Sequence, residues 1–263
     1  MKHRMILPAL LAFSSLYGQG LEDQCIQVAR TVIQWRVEDR ARLGAGLAPL
    51  PIKLVLGATT QEAERFGAGR WIFLDACEHR VEDLPHFQAD FNDEAQMHLV
   101  TWALLGQVDT IYPDCSVVKF ARWNKTLLGM IGSWLAPGGT FFVEAMPGGG
   151  VAFPEAANLP DPSDDNACLD HFKLYRQDLE MGYLPCGFQA PQEVLTLPGE
   201  RRMRLFQRFK QEVQKPRVAE VLAGSFTRVE EVVMAPWFLW PKHRGVCQEG
   251  VTYFACSNDA KAD

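Results

Sequence analysis

Between residues 52 and 144, short apolar runs alternate with segments of helical periodicity, and most of the runs stop at a glycine or an acid. Strands that alternate with helices predict a parallel sheet joined by right-handed crossovers. The predicted strands are residues 53–56, 71–74, 86–89, 108–112 and 140–143. We therefore expect an α/β protein with a Rossmann-like, doubly wound, mostly parallel sheet.

Two further strands are predicted near the C-terminus. Residues 226–234 alternate in part between apolar and polar side chains, and residues 251–256 are also typical of a strand. They are predicted to pair antiparallel at one sheet edge, which gives the sheet a C-terminal antiparallel strand pair. Residues 21–263 then form a single domain with a variable insert at about residues 148–225.

Helical periodicity predicts helices over residues 22–42, 94–105 and 117–135. The first helix either covers a ligand pocket or packs on the sheet edge. The sequence Pro137-Gly138-Gly139 is predicted to end the last of these helices and to turn the chain into a strand.

The bulk composition excludes some classes of function. A formal net charge of -6 argues against a nucleic-acid phosphate track as the main role. The seven cysteines include no CxxC pair, so the sequence predicts neither a metal site nor a disulfide framework. No run is apolar enough for an integral membrane segment. The sequence does not specify the oligomeric state.

Taken in order, five segments resemble the motifs of class I S-adenosylmethionine-dependent methyltransferases. They are Leu54-Val-Leu-Gly57, Trp71-Ile-Phe-Leu-Asp75, Ala89-Asp90, Asp109-Thr-Ile-Tyr112 and Leu135-Ala-Pro-Gly-Gly-Thr-Phe-Phe-Val-Glu144. Each motif is short, and their order and spacing together carry the resemblance. It implies the fold predicted above, S-adenosylmethionine as cofactor, and methyl transfer to a small molecule or a protein side chain.

The first motif supplies the turn that lies against the methionine part of the cofactor in that family. A strand that ends at Gly57 lets the backbone approach a ligand without a side chain in the way. Ala58 and Thr59 follow in the same turn and are expected to contact the cofactor. Asp75, at the end of the second strand, either accepts hydrogen bonds from ribose hydroxyls or caps the next turn.

The third motif gives two further cofactor-binding candidates. Asp90 occupies the position that binds the adenine amino group in the family, and Phe91 beside it is expected to pack on the adenine ring. The alternative for residues 90–93 is a cluster that caps the following helix. Both interpretations stay open, and different residues of the cluster can serve each.

The fourth strand leads toward the expected transfer site. Asp109 at its start is typical of a residue that fixes a turn or strand register. Tyr112 is a cofactor-binding candidate, and Asp114 is the nearest candidate for a base if the acceptor loses a proton. Many methyl transfers depend mostly on the alignment of donor and acceptor, so a base is not required in every case.

The turn after Gly57 departs from the family pattern Gly-x-Gly-x-Gly, because Ala58, Thr59 and Thr60 follow the first glycine. Threonine disfavours the positive φ that glycine permits. The alternative function is therefore a non-catalytic methyltransferase-fold protein that binds a ligand or a partner. A nicotinamide enzyme is a weaker alternative, because the sequence lacks Gly-x-Gly-x-x-Gly.

The N-terminus has a basic start, a short apolar core and small residues after it, which resembles a secretory signal over about residues 1–20. The alternatives are an N-terminal helix that packs on the domain or a start assigned too early. We expect a cytoplasmic protein, because the implied cofactor is cytosolic, with secretion as the alternative. The acceptor pocket is expected from residues 148–165, 171–188 and 235–245.

Overall fold

The computed structural model describes residues 19–66, 68–77, 79, 84–113, 123–145, 208, 211–212, 215–234 and 251–258. The helices are α1 (Gln19–Gly44), a 3-10 helix (Thr60–Arg65), α2 (Glu94–Leu104), α3 (Lys125–Trp134) and α4 (Lys215–Ala223). The strands are β1 (Ile52–Leu56), β2 (Arg70–Asp75), β3 (His86–Gln88), β4 (Val108–Pro113), β5 (Leu135–Glu144), β6 (Arg228–Met234) and β7 (Val251–Ser257).

The seven strands form one mixed sheet in the order β3-β2-β1-β4-β5-β7-β6. Strands β1 to β5 are parallel, and β7 is antiparallel to both β5 and β6. The chain winds outward from β1 to β3 and then in the opposite direction from β4 onward. This confirms the predicted fold class: a Rossmann-like, doubly wound, mostly parallel sheet flanked by helices, with a C-terminal antiparallel strand pair.

The main core lies between one face of the sheet and helices α1 to α4. Alternate residues of each strand point into it, because successive side chains of a strand face opposite sides. Fully buried examples from the sheet and the helices are Leu54, Leu56, Ile72, Leu74, Ile111, Phe141, Val100, Leu128, Ile131, Trp134, Val218 and Leu222. Each such side chain contributes about 1.5–3 kcal/mol of transfer free energy, so this core dominates the stability.

The opposite face of the sheet is rich in aromatic side chains. Phe66, which follows the 3-10 helix, packs on Trp71 and Phe73 with ring centroids 5.1 and 5.7 Å apart. Tyr112 stacks on Phe142 at 5.6 Å and 9° between ring planes. The 3-10 helix therefore covers this face near β2, on the side opposite to the four α-helices.

Buried and half-buried charges fix the end of the sheet where the parallel strands begin. The Asp39 carboxylate of α1 accepts hydrogen bonds from the Arg70 guanidinium at 2.6 Å and from the Leu50 amide at 3.1 Å. The Asp109 carboxylate accepts from the Ile52 amide at 2.7 Å. Asp109 therefore joins β4 to β1, in agreement with the predicted register role.

Helix α3 and strand β5 differ from the predicted bounds. Residues 123–124 are not helical, and α3 begins at Lys125, because the Asn124 side chain caps it by accepting from the Leu127 amide at 2.9 Å. Strand β5 begins at Leu135, before the proline that was expected to end the helix. Its pairing with β4 shifts register between Val108 and Thr110.

Helix α1 packs beside α2 and β3, and its first residues lie above the sheet end where β2 and β3 stop. Helix α1 therefore packs at the edge of the sheet, and its first residues border a cavity. Among the described residues, no helix is both long enough and apolar enough to cross a membrane. The signal-like segment, the predicted insert and the residues of the expected acceptor pocket fall wholly or mainly outside the described residues.

Candidate functional site

The winding of the sheet reverses between β1 and β4, and ligands of open α/β sheets bind at such a switch point beyond the carboxyl ends of the strands. Gly57 follows β1 at this point and adopts φ +80°, which L side chains rarely take. Its amide donates to the Leu74 carbonyl of β2 at 2.7 Å. The backbone therefore turns tightly away from the sheet at the place where the sequence predicts cofactor contact.

The turn after Gly57 is held in place by burial and by a histidine. Ala58 is completely buried and packs with Phe66 and Phe73, whereas Thr59 is partly exposed. The Thr60 amide, at the start of the 3-10 helix, donates to Nδ1 of His79 at 3.2 Å. No sequence pattern indicated a role for His79, since it lies in a polar segment without periodicity.

Asp75 lies at the end of β2 and is half-buried. One carboxylate oxygen accepts from the Cys77 amide at 2.7 Å, which is the turn-capping interaction that the sequence left as an alternative. The backbone carbonyl of Asp75 accepts from the Ala89 amide at 3.0 Å and so connects the ends of β2 and β3. A carboxylate has two oxygens and can accept several hydrogen bonds, so capping does not exhaust this side chain.

A cavity of about 390 Å³ opens beyond the ends of β2 and β3. Its lining consists of Gly20, Leu21 and Gln24 from α1, Ala76 after β2, Gln88, Ala89 and Asp90 around the end of β3, and Gln96 of α2. The Gln24 side chain accepts from the Gln88 amide at 2.8 Å, and both residues line the cavity. The start of α1 therefore contributes three residues to the lining of this cavity.

The two aspartates that follow β3, Asp90 and Asp93, have different roles. Asp93 is the N-cap of α2 and accepts from the Ala95 and Gln96 amides at 3.0 and 3.1 Å. Asp90 is exposed, lines the cavity, and accepts from the Asn92 amide at 2.9 Å. Asp93 therefore caps the helix, whereas Asp90 lies at the cavity.

Phe91 lies apart from that cavity. It is buried in the main core and lines a separate small cavity of about 130 Å³ between the starts of α2 and α3. Its neighbours there include Asn124 and Met130. The structure therefore does not bring Phe91 together with Asp90 around one described cavity.

Tyr112 lies beside β1, opposite Val55 in the register, on the aromatic face of the sheet. Burial raises the pKa of its phenol to about 12, with a smaller opposing effect of a hydrogen bond to Thr110. The phenol is therefore protonated at neutral pH. Asp114, the candidate base, lies outside the described residues.

Two histidines stack near the turn. His79 and His86 have ring centroids 4.5 Å apart and an angle of 23° between ring planes. Burial and the neighbouring His86 lower the pKa of His79, against the opposing effects of Asp75 and the Phe87 carbonyl.

Among the described residues, no group of three His, Cys, Asp or Glu side chains is arranged to hold a metal ion.

No protein-family model matches the chain, and no curated protein matches it. Among solved structures, it is similar to Haemonchus contortus phosphoethanolamine N-methyltransferase 2 in complex with phosphomonomethylethanolamine and S-adenosylhomocysteine. That similarity has 13% sequence identity and a TM-score of 0.29, and it covers 85% of this chain and 53% of the other. The chain spans about half the length of that relative, and a similarity this distant carries no functional conclusion.

Proposed function

We propose that the protein binds S-adenosylmethionine at the carboxyl end of its parallel strands and is a methyltransferase that acts on a small-molecule or protein acceptor. One observation carries the proposal. A left-handed glycine and two carboxylates follow three adjacent strands, β1, β2 and β3, on one side of the switch point, and a cavity lies beside the third. This is the arrangement that the resemblance of the motifs implies.

The residues suit the three parts of the cofactor. Gly57, Ala58 and Thr59 form the turn that is assigned to the methionine part, and Thr59 is its partly exposed member. Asp75 is assigned to the ribose hydroxyls and Asp90 to the adenine amino group. The cavity of about 390 Å³ falls within the range of 300–1,000 Å³ that is usual for small-molecule sites.

S-adenosylmethionine supplies an electrophilic methyl group to a nucleophilic acceptor. The contribution of the chain is to hold the donor so that the acceptor approaches in line, which is the main source of rate in an aligned transfer. Tyr112 keeps its proton at neutral pH because of its raised pKa, so it is assigned an orienting role. Asp114 is the proposed base for acceptors that lose a proton.

The first test is a thermal shift with S-adenosylmethionine and S-adenosylhomocysteine, with NAD as the comparison ligand. A ligand at about 100 times its Kd stabilises the native state by about 2.7 kcal/mol. This corresponds to a rise in Tm of roughly 5–10 °C for a domain of this size. Absence of a shift with both methyl-donor ligands contradicts the proposal, and a shift with NAD alone supports the nicotinamide alternative.

A second measurement separates the enzyme from the non-catalytic alternative. The protein is incubated with methyl-labelled S-adenosylmethionine and small-molecule or protein extracts, and transfer of the label is followed. Labelled product supports the methyltransferase. Binding that is accompanied by no transfer to either extract supports a non-catalytic protein of the same fold.

A further inference from the structure

His79 connects the turn after β1 to the strand at the edge of the sheet. Its side chain is buried, with 9% of its surface exposed. Nδ1 lies 3.2 Å from the Thr60 amide, and Nε2 lies 3.1 Å from the Phe87 carbonyl. The imidazole therefore links the turn after β1 to β3, two segments that lie on either side of β2 in the strand order.

These two contacts define the protonation state of the ring. A backbone N–H can only donate, so Nδ1 accepts from Thr60 and carries no proton. A carbonyl can only accept, so Nε2 carries the proton and donates to Phe87. Both contacts are satisfied only by neutral imidazole in the Nε2–H form. Protonation of Nδ1 would set two donors against each other at Thr60.

The turn needs such support because it lacks the later glycines of the family pattern. Ala58 is packed beneath the turn, and the amide of Thr60, the first residue of the 3-10 helix, donates to His79. We propose that His79 is a positioning residue for the turn after Gly57, and that its protonation releases the turn and weakens cofactor binding. This inference rests on the proposed function, since it concerns the same cofactor turn.

The groups that face His79 determine the direction of its titration. Among the described residues, the stacked His86 from β3 opposes protonation, whereas the Phe87 carbonyl of β3 and both the charge and the backbone carbonyl of Asp75 from β2 favour it. The turn adds the Thr60 N–H, which also disfavours a proton on Nδ1. Burial together with His86 holds the pKa of His79 below its ordinary value. Affinity for the cofactor is therefore expected to be highest where His79 is neutral and to decline as the pH falls through its pKa.

Two substitutions separate the contacts. Asparagine has its side-chain oxygen the same number of bonds from Cβ as Nδ1, so His79→Asn keeps the acceptor for Thr60 but does not titrate. Glutamine has its side-chain nitrogen at the distance of Nε2, so His79→Gln keeps the donor to Phe87 and loses the acceptor. The exposed His98, on α2, provides the matched control His98→Gln.

The experiment measures S-adenosylhomocysteine affinity by calorimetry between pH 5 and 8, and deuterium exchange of residues 57–62 without ligand. We expect His79→Asn to bind at neutral pH like the wild type and to lose the acid decline. We expect His79→Gln to bind about three- to tenfold more weakly and to exchange faster at the turn. His98→Gln is expected to match the wild type in both measurements.

The two measurements distinguish the possible failures. If the wild type binds and both His79 variants show its pH profile, the inference is wrong and the proposed function stands. If the wild type does not bind, the proposed function fails, and faster exchange in His79→Gln still supports the positioning role. Unchanged exchange in that variant overturns the positioning role whether or not the ligand binds.

Discussion

The Arg70 guanidinium at the start of β2 lies 2.6 Å from the Asp39 carboxylate of α1, and the two residues are only 6% and 4% exposed. Arg70 also donates to Glu38 at 3.0 Å and to the Leu50 carbonyl at 3.3 Å. This buried pair attaches the long first helix to the sheet at the end opposite to the candidate site.

Replacement of Arg70 by methionine is expected to lower the free energy of unfolding by about 3–5 kcal/mol, because it leaves the buried Asp39 carboxylate without its main partner. The control is Arg228→Met, which removes an exposed pair with Glu230 and is expected to cost less than about 1 kcal/mol. Urea unfolding measures both. Equal losses in the two variants would show that burial adds nothing at this pair.

The same pair predicts a dependence on acid. Burial raises the pKa of Asp39, but the Leu50 amide and Arg70 outweigh it and hold the pKa below its usual value. A lowered folded-state pKa gives stability that is present above about pH 4 and is lost as the pH falls through the folded value. The difference in stability between wild type and Arg70→Met is therefore expected to shrink from pH 6 to pH 3. A constant difference would exclude Asp39 as its source.

The backbone conformation at position 57 is expected to require glycine. Gly57→Ala places a side chain at φ +80° and is expected to destabilise the protein by about 1–2 kcal/mol. Gly129→Ala is the control, since this glycine lies within α3 with no atom near the added Cβ. It is expected to stabilise by about 0.5–1 kcal/mol. Thermal unfolding that shifts both variants in the same direction contradicts the assignment.

Asp75 is expected to contribute to cofactor affinity beyond its role in the turn. Asp75→Ala removes the acceptor for both Cys77 and the ribose, and we expect binding of S-adenosylhomocysteine to weaken by about 1–3 kcal/mol. Asp75→Asn retains an oxygen for the Cys77 amide, so it separates turn capping from the ribose contact. Calorimetry in which the Asn variant binds as tightly as wild type, while the Ala variant does not, would assign Asp75 to capping alone.

The control for this series is Glu220→Ala on α4, an exposed acid that precedes β6 at the far edge of the sheet. It removes the same amount of negative charge from the protein. We expect its affinity to equal that of the wild type. A matching loss would attribute the effect of Asp75 to net charge instead of a specific contact.

Strand β5 shows where local patterns reach their limit. The sequence Pro137-Gly138-Gly139 is an ordinary signal for a turn, and Gly138 does adopt φ +78°. A side chain at Gly139, however, would meet the carbonyl oxygens of Ala136 and Val108 at 2.8 Å. The glycines therefore allow β5 to start early and to approach β4 closely. This approach depends on β4, and even the nearest paired residues of the two strands, Val108 and Leu135, are 27 positions apart in the sequence.

The sequence by itself determined the strand-helix alternation, the mostly parallel sheet and the antiparallel C-terminal pair, because these follow from the period of apolar side chains along the chain. It also placed Gly57, Asp75 and Asp90 at strand ends. Only the tertiary structure decided which residues lie close to these strand ends and which hydrogen-bond partners they have. Arg70 binds Asp39, which is 31 positions away in the sequence, and Thr60 donates to His79, which is 19 positions away. Such contacts leave no local pattern, since each residue alone is typical of the surface, and only the order of strands in the folded sheet brings the partners together.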